Sequence, residues 1–359
     1  NQNLSQTETF TITVNPINDA PEFTPGANVS VNEDAGLVRI TNWATNVRPG
    51  PAAATDESSQ ALSFVANTIG FTGGLTFTTA PFVEPLTGDL VFQTSPNKWG
   101  TATVTVRLQD TGSGTAPHVN TSALHTLTIN VASVNDPPEF TLGANQQLTE
   151  DAPAQTVFGF VSSIRPGPTS ANDEAGQSVS FVATNNNNSL FSVQPAISAN
   201  GTLSYTPAAN KNGIAIVTVD AQDSGSNVTP NINSAKKTFT ITLAAVNDAP
   251  TLVVPATQIV AEDLLLGIGG IVAADIDVAE GTGLVQVSFR ATNGTVSLNT
   301  NVAGGVLASQ VTDNGTSTVS VLAPLAQINT TLANQNAQSQ PTGLTYRGKP
   351  NFNGQDQIV

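Results

Sequence analysis

The sequence contains no cysteine and no methionine among its 359 residues. Disulfides and thiol chemistry are therefore excluded. The missing cysteines leave the compartment open, because secreted proteins depend on disulfides mainly when they are small. Only two histidines occur, and no metalloprotease, hydrolase or phosphate-loop motif is present. We therefore expect that the chain is not an enzyme.

Basic residues are also scarce. Lys and Arg number 11 against 26 Asp and Glu, which gives a net charge of −15. This balance lacks the basic footprint of a nucleic-acid partner. No apolar run approaches the roughly 18 residues that a membrane span requires. The acidity suits an extracellular chain that binds divalent cations, or simply a soluble one.

Short alternating segments rich in Val, Thr and Ser run through the whole sequence. An example is residues 101–106, in which Thr alternates with Ala and Val, and residues 214–219 form a matching, more apolar segment. Alternation with period two predicts strands that are buried on one face. About seven such strands in each repeat, separated by turns, predict an all-β protein built of antiparallel β-sandwich domains.

A connector of the form Asn-Asp-x-Pro divides the chain. It occurs at Asn18-Asp19, Asn135-Asp136 and Asn247-Asp248, at intervals of 117 residues (18 to 135) and 112 residues (135 to 247). Proline bars helix and removes a backbone donor, so each copy should be a stiff, extended segment. We place repeats at residues 18–134, 135–246 and 247–359, with the third incomplete at its C-terminal end.

Residues 1–17 contain an alternating segment at residues 9–14, which resembles the segments before the other two connectors. We expect it to be the last strand of a preceding repeat. Strand donation between copies of the chain would use the same segment, whereas a cut from a longer array of repeats explains it without any exchange.

Acidic residues recur at a fixed distance from each connector. Glu33, Glu150 and Glu262 each lie 15 residues after the connector Asn, and each is followed by Asp. In the first two repeats an Arg-Pro-Gly-Pro segment follows, which we interpret as a surface loop, and then Asp56-Glu57 or Asp173-Glu174. This register indicates a retained role for these acidic residues, or a duplication recent enough to preserve residues that have no role.

The third repeat departs from this pattern. It lacks the Arg-Pro-Gly-Pro segment and has Asp275-Ile276-Asp277 instead. Residues 323–332 show apolar residues at helical spacing with Pro324 near the start, which predicts one short helix.

The connector, the Glu-Asp pair and the Asp-x-Gly turn that follows a Val-Thr-Val strand resemble tandem cadherin-like, immunoglobulin-like repeats of giant bacterial surface proteins and adhesins. The resemblance covers nearly the whole chain. It implies domains arranged end to end, with calcium held at each junction by the connector, the base of one domain and the top of the next. Such calcium sites use six to eight oxygen ligands.

The resemblance implies three ligand sets. The junction before the first repeat would use Asn18, Asp19, Asp56 and Asp110. The next would use Glu33, Asn135, Asp136, Asp173 and Asp223. The last would use Glu150, Asn247, Asp248, Asp275 and Asp277. The alternative is that these acidic groups are solvated strand ends that bind no ion.

The function implied is a stalk or shaft of an extracellular bacterial adhesin or surface filament, rigidified by calcium. Its partners would be neighbouring repeats of the same chain, other copies, or ligands at the cell surface. One alternative is that a single domain binds glycan or protein. The aromatic content of 5% gives little material for an exposed aromatic platform. The other alternative is a filament subunit assembled by strand donation.

Overall fold

A computed structural model describes residues 6–336 and 340–359 of the chain. Strands account for most of the regular structure, which confirms the predicted all-β fold of tandem β-sandwiches. The chain forms two compact units, which are described separately. Unit 1 comprises Asn1–Gln147, Ala152–Pro207 and Ile214–Thr242, and unit 2 comprises Leu148–Asp151, Ala208–Gly213 and Leu243–Val359.

The first repeat contains nine strands and a 3₁₀ turn at Thr55–Glu57. The strands are β1 (Glu22–Thr24), β2 (Val29–Asn32), β3 (Leu37–Ile40), β4 (Thr45–Arg48), β5 (Leu62–Phe71), β6 (Phe77–Val83), β7 (Leu90–Thr94), β8 (Gly100–Asp110) and β9 (His125–Ala132). They form sheets in the orders β2-β9-β8-β5 and β3-β7-β6, with β1 paired to β4. Inward residues of β8, such as Val104 and Val106, are fully buried, as the alternation predicted.

One strand pair differs from the antiparallel prediction. β2 pairs with β9 in parallel, with Val29 opposite Ile129. This pairing ends where Glu33 donates its backbone N–H to Ala132 O at 2.9 Å. The parallel edge therefore places Glu33 beside the outgoing end of β9.

The second repeat has the same strand sequence, with 3₁₀ turns at Asn172–Glu174 and Asn188–Leu190. The strands are β10 (Glu139–Leu142), β11 (Gln146–Thr149), β12 (Gln155–Val157), β13 (Val161–Arg165), β14 (Val179–Asn185), β15 (Phe191–Ile197), β16 (Leu203–Pro207), β17 (Gly213–Asp223) and β18 (Ser234–Ala244). Their sheet orders are β11-β18-β17-β14, β12-β16-β15 and β10-β13.

The third repeat is built around a different pair of three-stranded sheets, β20-β26-β23 and β22-β25-β24, with β19 paired to β21. Its elements are β19 (Thr251–Val253), β20 (Leu265–Ile268), β21 (Val272–Ala274), β22 (Leu284–Arg290), β23 (Gly294–Leu298), a 3₁₀ turn (Ala308–Gln310), β24 (Val311–Thr312), β25 (Thr318–Pro324), α1 (Leu325–Leu332) and β26 (Leu344–Gly348). The predicted helix is confirmed as α1. Its inward residues Ile328 and Leu332 belong to the buried core.

The segment at residues 9–14, predicted as the last strand of a preceding repeat, forms no strand in this structure. Residues 6–21 have no regular secondary structure, and Phe10, Ile12 and Val14 are exposed. A strand needs a neighbour to accept and donate its backbone hydrogen bonds, and alternation alone does not supply one.

Candidate metal centres

The side chains of the first two connector asparagines are hydrogen-bonded to several segments of their repeats. Asn18 Nδ2 donates to Val119 O at 2.7 Å and to Asp110 Oδ1 at 3.2 Å, while Asn18 Oδ1 accepts from Gln60 Nε2 at 2.6 Å. A side chain on Gly112 would collide with this amide, because its Cβ would lie 1.8 Å from Asn18 Oδ1. The side chain of Asn18, predicted as a ligand, therefore also bonds three other segments of its repeat.

Asn135 repeats this arrangement. Its Nδ2 donates to Ile232 O at 2.8 Å and to Asp223 Oδ1 at 3.1 Å, and its Oδ1 accepts from Gln177 Nε2 at 2.6 Å. Gly225, the glycine of the Asp-x-Gly turn, again packs against the amide. A Cβ on Gly225 would lie 1.7 Å from Asn135 Oδ1. This glycine is thus required by the close approach of the connector.

Each of the first two connectors donates a backbone N–H to a buried glutamate that was not among the predicted ligands. Glu57 accepts the backbone N–H of Asp19, and Glu174 accepts that of Asp136. Both glutamates are buried in their 3₁₀ turns, whereas the preceding Asp56, which we had predicted as a ligand, is exposed. The preceding Asp173 is partly buried.

The Arg-Pro-Gly-Pro segment explains where that glutamate fits. A Cβ on Gly50 would lie 1.9 Å from Glu57 Oε2, and one on Gly167 would lie 1.5 Å from Glu174 Oε2. Glycine is needed at this position because the carboxylate occupies the space of a side chain. The joint presence of Arg-Pro-Gly-Pro and Asp-Glu in two repeats, and the joint absence of both in the third, was the sequence signal for this contact.

The glutamates of the first two Glu-Asp pairs face the next connector. Glu33 Oε1 accepts the backbone N–H of Val134 at 2.8 Å, and Glu150 Oε1 accepts that of Val246 at 2.7 Å. The carboxylates are therefore held beside the connector residues that follow.

The second residue of each pair has a separate task. Asp34, Asp151 and Asp263 each accept a backbone N–H from an asparagine in a tight turn. The three bonds join Asp34 to Asn97 at 3.0 Å, Asp151 to Asn210 at 2.7 Å, and Asp263 to Asn351 at 3.0 Å. These asparagines have φ of 55°, 53° and 56°, a left-handed conformation that asparagine tolerates. The fixed register of the pair thus reflects two structural roles.

Around the second connector, several buried carboxylate oxygens have no hydrogen-bond partner among the described residues. They are Glu33 Oε2, Asp136 Oδ2, Asp173 Oδ1, Glu174 Oε2 and Asp223 Oδ2. Around the first connector the corresponding atoms are Glu57 Oε2 and Asp110 Oδ2. An unsatisfied buried acceptor costs about 1–3 kcal/mol, and more when it is charged. These oxygens are available to a cation.

Burial and neighbouring negative charges raise the pKa of three carboxyl groups around the second connector. Burial raises the pKa of Glu33 to about 7, and the nearby charges of Asp173, Asp34 and Asp136 act in the same direction. Burial likewise raises the pKa of Glu174 to about 7, assisted by Asp136, Asp173 and Asp223. The pKa of Asp136 is also raised, mainly by burial.

The third connector, in unit 2, is built differently. The side chain of Asn247 is exposed and donates only to the carbonyl of Asp248, at 2.9 Å. The backbone N–H of Asp248 donates to Asp277, which takes the place that Glu174 has in the second repeat. Asp275 Oδ1 in turn accepts the backbone N–H of Asp277 at 3.0 Å. Burial and the charge of Asp277 raise the pKa of Asp248.

Carboxylates that lack donors and face one another form an arrangement that binds hard divalent cations. Calcium takes six to eight oxygens at about 2.3–2.6 Å, from carboxylates, carbonyls and water. The residues around the second and third connectors supply such oxygens from several segments of the chain. The donor set therefore fits calcium, and none of its members is a nitrogen or sulfur ligand that would favour zinc.

Both histidines have structural contacts. His118 Nδ1 accepts the backbone N–H of Asn18 at 2.9 Å, and the ring of His125 packs edge-on against Phe23 with centroids 4.8 Å apart. In the second repeat Lys237 takes the place of His125, with its Nζ 4.9 Å from the centre of the Phe140 ring.

In structure the chain is similar to cadherin ectodomain repeats. One is human protocadherin-24 EC1-2, at 15% identity and a TM-score of 0.33, covering 64% of this chain and 100% of that one. Another is the protocadherin gammaB7 EC3-6 cis-dimer, at 18% identity and a TM-score of 0.34, covering 84% and 65% respectively. A third is Drosophila N-cadherin EC1-4, at 15% identity and a TM-score of 0.33, covering 94% and 72%. The β-sandwich assignment rests on the strands and sheets described above.

No protein-family model matches the sequence, and no curated protein matches it either. Within residues 6–336 and 340–359, no helix has the length and apolar character needed to cross a membrane.

Proposed function

We propose that the chain is a structural repeat region, a stalk or shaft of an extracellular bacterial adhesin or surface filament, rigidified by calcium at its connectors. The observation that carries the proposal is the set of buried, unpartnered carboxylate oxygens around Asp136, contributed by Glu33, Glu174 and Asp223. These residues come from distant parts of the sequence, so ions bound among them would tie the connector to the strand ends around it.

The energetic argument favours rigidity over core folding as the role of the ion. Extracellular calcium modules bind with Kd of roughly 10⁻⁴–10⁻³ M. Even at 100 times Kd, one site contributes only about 2.7 kcal/mol. The hydrophobic cores of the repeats are complete without the ion, because their inward residues are buried. Calcium would chiefly fix the connectors, which is what a shaft needs.

The decisive experiment is a calcium titration of the whole chain followed by differential scanning calorimetry and small-angle scattering, comparing Glu33→Gln with wild type. Glutamine preserves the acceptor for Val134 but removes the charge. We expect calcium to raise the melting temperature of the wild-type chain and to narrow its distribution of shapes. In Glu33→Gln, we expect a smaller calcium response and a higher melting temperature in chelator.

Glu8→Gln is the matched control, because Glu8 is exposed and the substitution removes the same charge. It should respond to calcium as the wild type does. A wild-type chain whose stability and scattering are the same in calcium and in chelator would overturn the proposal, and the acidic clusters would then be solvated strand ends.

A further inference from the structure

In unit 2 the carboxylate of Glu280 lies beside those of Glu150 and Asp277. Neither the repeat register nor the Asp-x-Asp motif identifies Glu280. Oxygens of Glu150, Asp277 and Glu280 all lie within 4.8 Å of one another. Glu280 stands three residues after Asp277, at the end of a turn in which its backbone N–H donates to Asp277 O at 2.8 Å. The turn thus sets the carboxylate of Glu280 beside that of Asp277.

A second observation indicates a missing ligand at this cluster. Glu150 is only 2% exposed, and its Oε2 has no hydrogen-bond partner, while its Oε1 accepts the backbone N–H of Val246. The other two members of the cluster are carboxylates, which are acceptors when ionised and offer no donor to this oxygen. A buried anionic oxygen among acceptors is costly unless a cation compensates it.

Glu280 is also held in place. Its Oε1 accepts from Asn212 Nδ2 at 2.6 Å. Asn212 belongs to the turn whose Asn210 donates its backbone N–H to Asp151, the neighbour of Glu150. Two hydrogen bonds therefore fix Glu280 relative to Glu150. In the first repeat the corresponding turn has Trp99 in place of Asn212.

We propose that Glu150, Asp277 and Glu280 bind one divalent cation of calcium size, with Asn212 as the positioning residue for Glu280. Ligands of one calcium ion, bound at about 2.3–2.6 Å, lie up to about twice that distance apart. The separations in this cluster fall within that limit. Magnesium requires oxygens at about 2.0–2.1 Å and sheds water reluctantly, so the site should prefer calcium. This inference rests on the proposed calcium function and adds Glu280 to it.

The test is a calorimetric titration of the whole chain with calcium chloride, with and without excess magnesium chloride, comparing wild type with Glu280→Gln. We expect the variant to lose one site, or to bind at one site at least about tenfold more weakly, since charge count sets calcium affinity. Glu262→Gln is the matched control in the same unit, because Glu262 is exposed. It should bind as the wild type does.

Asn212→Ala provides a second variant, which leaves every carboxylate in place. It should weaken binding at the same site by about tenfold, the lower end of the effect of removing an orienting partner. If wild type binds calcium and Glu33→Gln weakens that binding, but Glu280→Gln and Asn212→Ala bind like wild type, the role of Glu280 is wrong and the calcium function stands. If wild type binds no calcium, both proposals fail.

Discussion

At the scale of single residues, the positions that matter most are glycines that make room for a carboxylate. Gly167 is the clearest case, because a Cβ there would lie 1.5 Å from Glu174 Oε2. Gly167→Ala should therefore displace Glu174 from the N–H of Asp136 and lower the free energy of unfolding by about 1–3 kcal/mol, as overpacking does. Urea unfolding of the whole chain, followed by circular dichroism, measures this.

Gly176 offers a control in the same repeat, since no atom lies within 4 Å of a Cβ built there. Gly176→Ala should leave the unfolding midpoint nearly unchanged. Equal midpoints for the two variants would mean that the Arg-Pro-Gly-Pro segment yields without disturbing Glu174.

The titration of the buried carboxylates around the second connector predicts that the stability of the chain depends on pH. Because the pKa values of Glu33 and Glu174 are raised from 4.5 to about 7 in the folded chain, the folded state binds more protons than the unfolded state between these values. The calcium-free chain should thus lose stability as pH rises from about 4.5 to about 7, and then level off. The carboxyls with lowered pKa, such as Asp89 and Asp356, titrate below this window.

Urea unfolding in chelator at pH 5 and pH 8 checks this dependence. The double variant Glu33→Gln, Glu174→Gln should show a smaller difference between the two pH values. A wild-type chain that is more stable at pH 8 than at pH 5 would contradict the assignment of these two groups as buried and uncompensated.

At the scale of structural elements, the two residues of the Glu-Asp pair have different roles. The Glu of the first two pairs bonds the next connector, and the Asp bonds a turn. The side chain of Asp263 accepts the backbone N–H of Asn351, and the neighbouring Glu262 is exposed. Asp263→Ala should lower the free energy of unfolding by about 1 kcal/mol, the usual value of such a hydrogen bond, without changing calcium affinity. Hydrogen exchange of the amide of Asn351, compared with Glu262→Ala, measures the local effect.

The strands could be predicted because their signal is local. Val104 and Val106 alternate with threonines, and the pleat alone assigns them to the core. The helix α1 was predicted for the same reason, from apolar spacing that ends in Ile328 and Leu332. The segment at residues 9–14 carries the same alternation but has no strand, because pairing requires a neighbour that local alternation does not specify.

The site could be predicted only in part, because acidic residues adjacent in sequence are equivalent in pattern but not in burial. Asp56 and Glu57 differ in which one the 3₁₀ turn buries, and only the structure shows that Glu57 accepts the N–H of Asp19. Asn18 and Asn135 were chosen for their oxygens, yet those oxygens accept from Gln60 and Gln177. Glu280 lies outside every repeated motif, so no register could have identified it.

At the scale of the whole molecule, negative charges greatly outnumber positive ones. The chain carries 26 acidic and 11 basic residues, and its ion pairs, such as Arg48 with Glu22 and Arg165 with Glu139, are largely exposed. Exposed pairs contribute little, about 0–1 kcal/mol each. The surplus of negative charge therefore opposes the compact state wherever carboxylates gather, and the connectors are where they gather.

This surplus predicts that salt stabilises the chain more in chelator than in saturating calcium. In chelator, raising sodium chloride from 10 mM to 500 mM should screen repulsion among the exposed carboxylates and raise the melting temperature, because the Debye length falls from about 30 Å to a few ångströms. In saturating calcium the repulsion at the connectors is already neutralised, so the same salt should raise the melting temperature less. Differential scanning calorimetry at the four conditions measures both effects, with potassium chloride as a check that sodium has no specific site. Equal salt responses with and without calcium would mean that the ion leaves the electrostatics of the connectors unchanged, and that these carboxylates do not hold it.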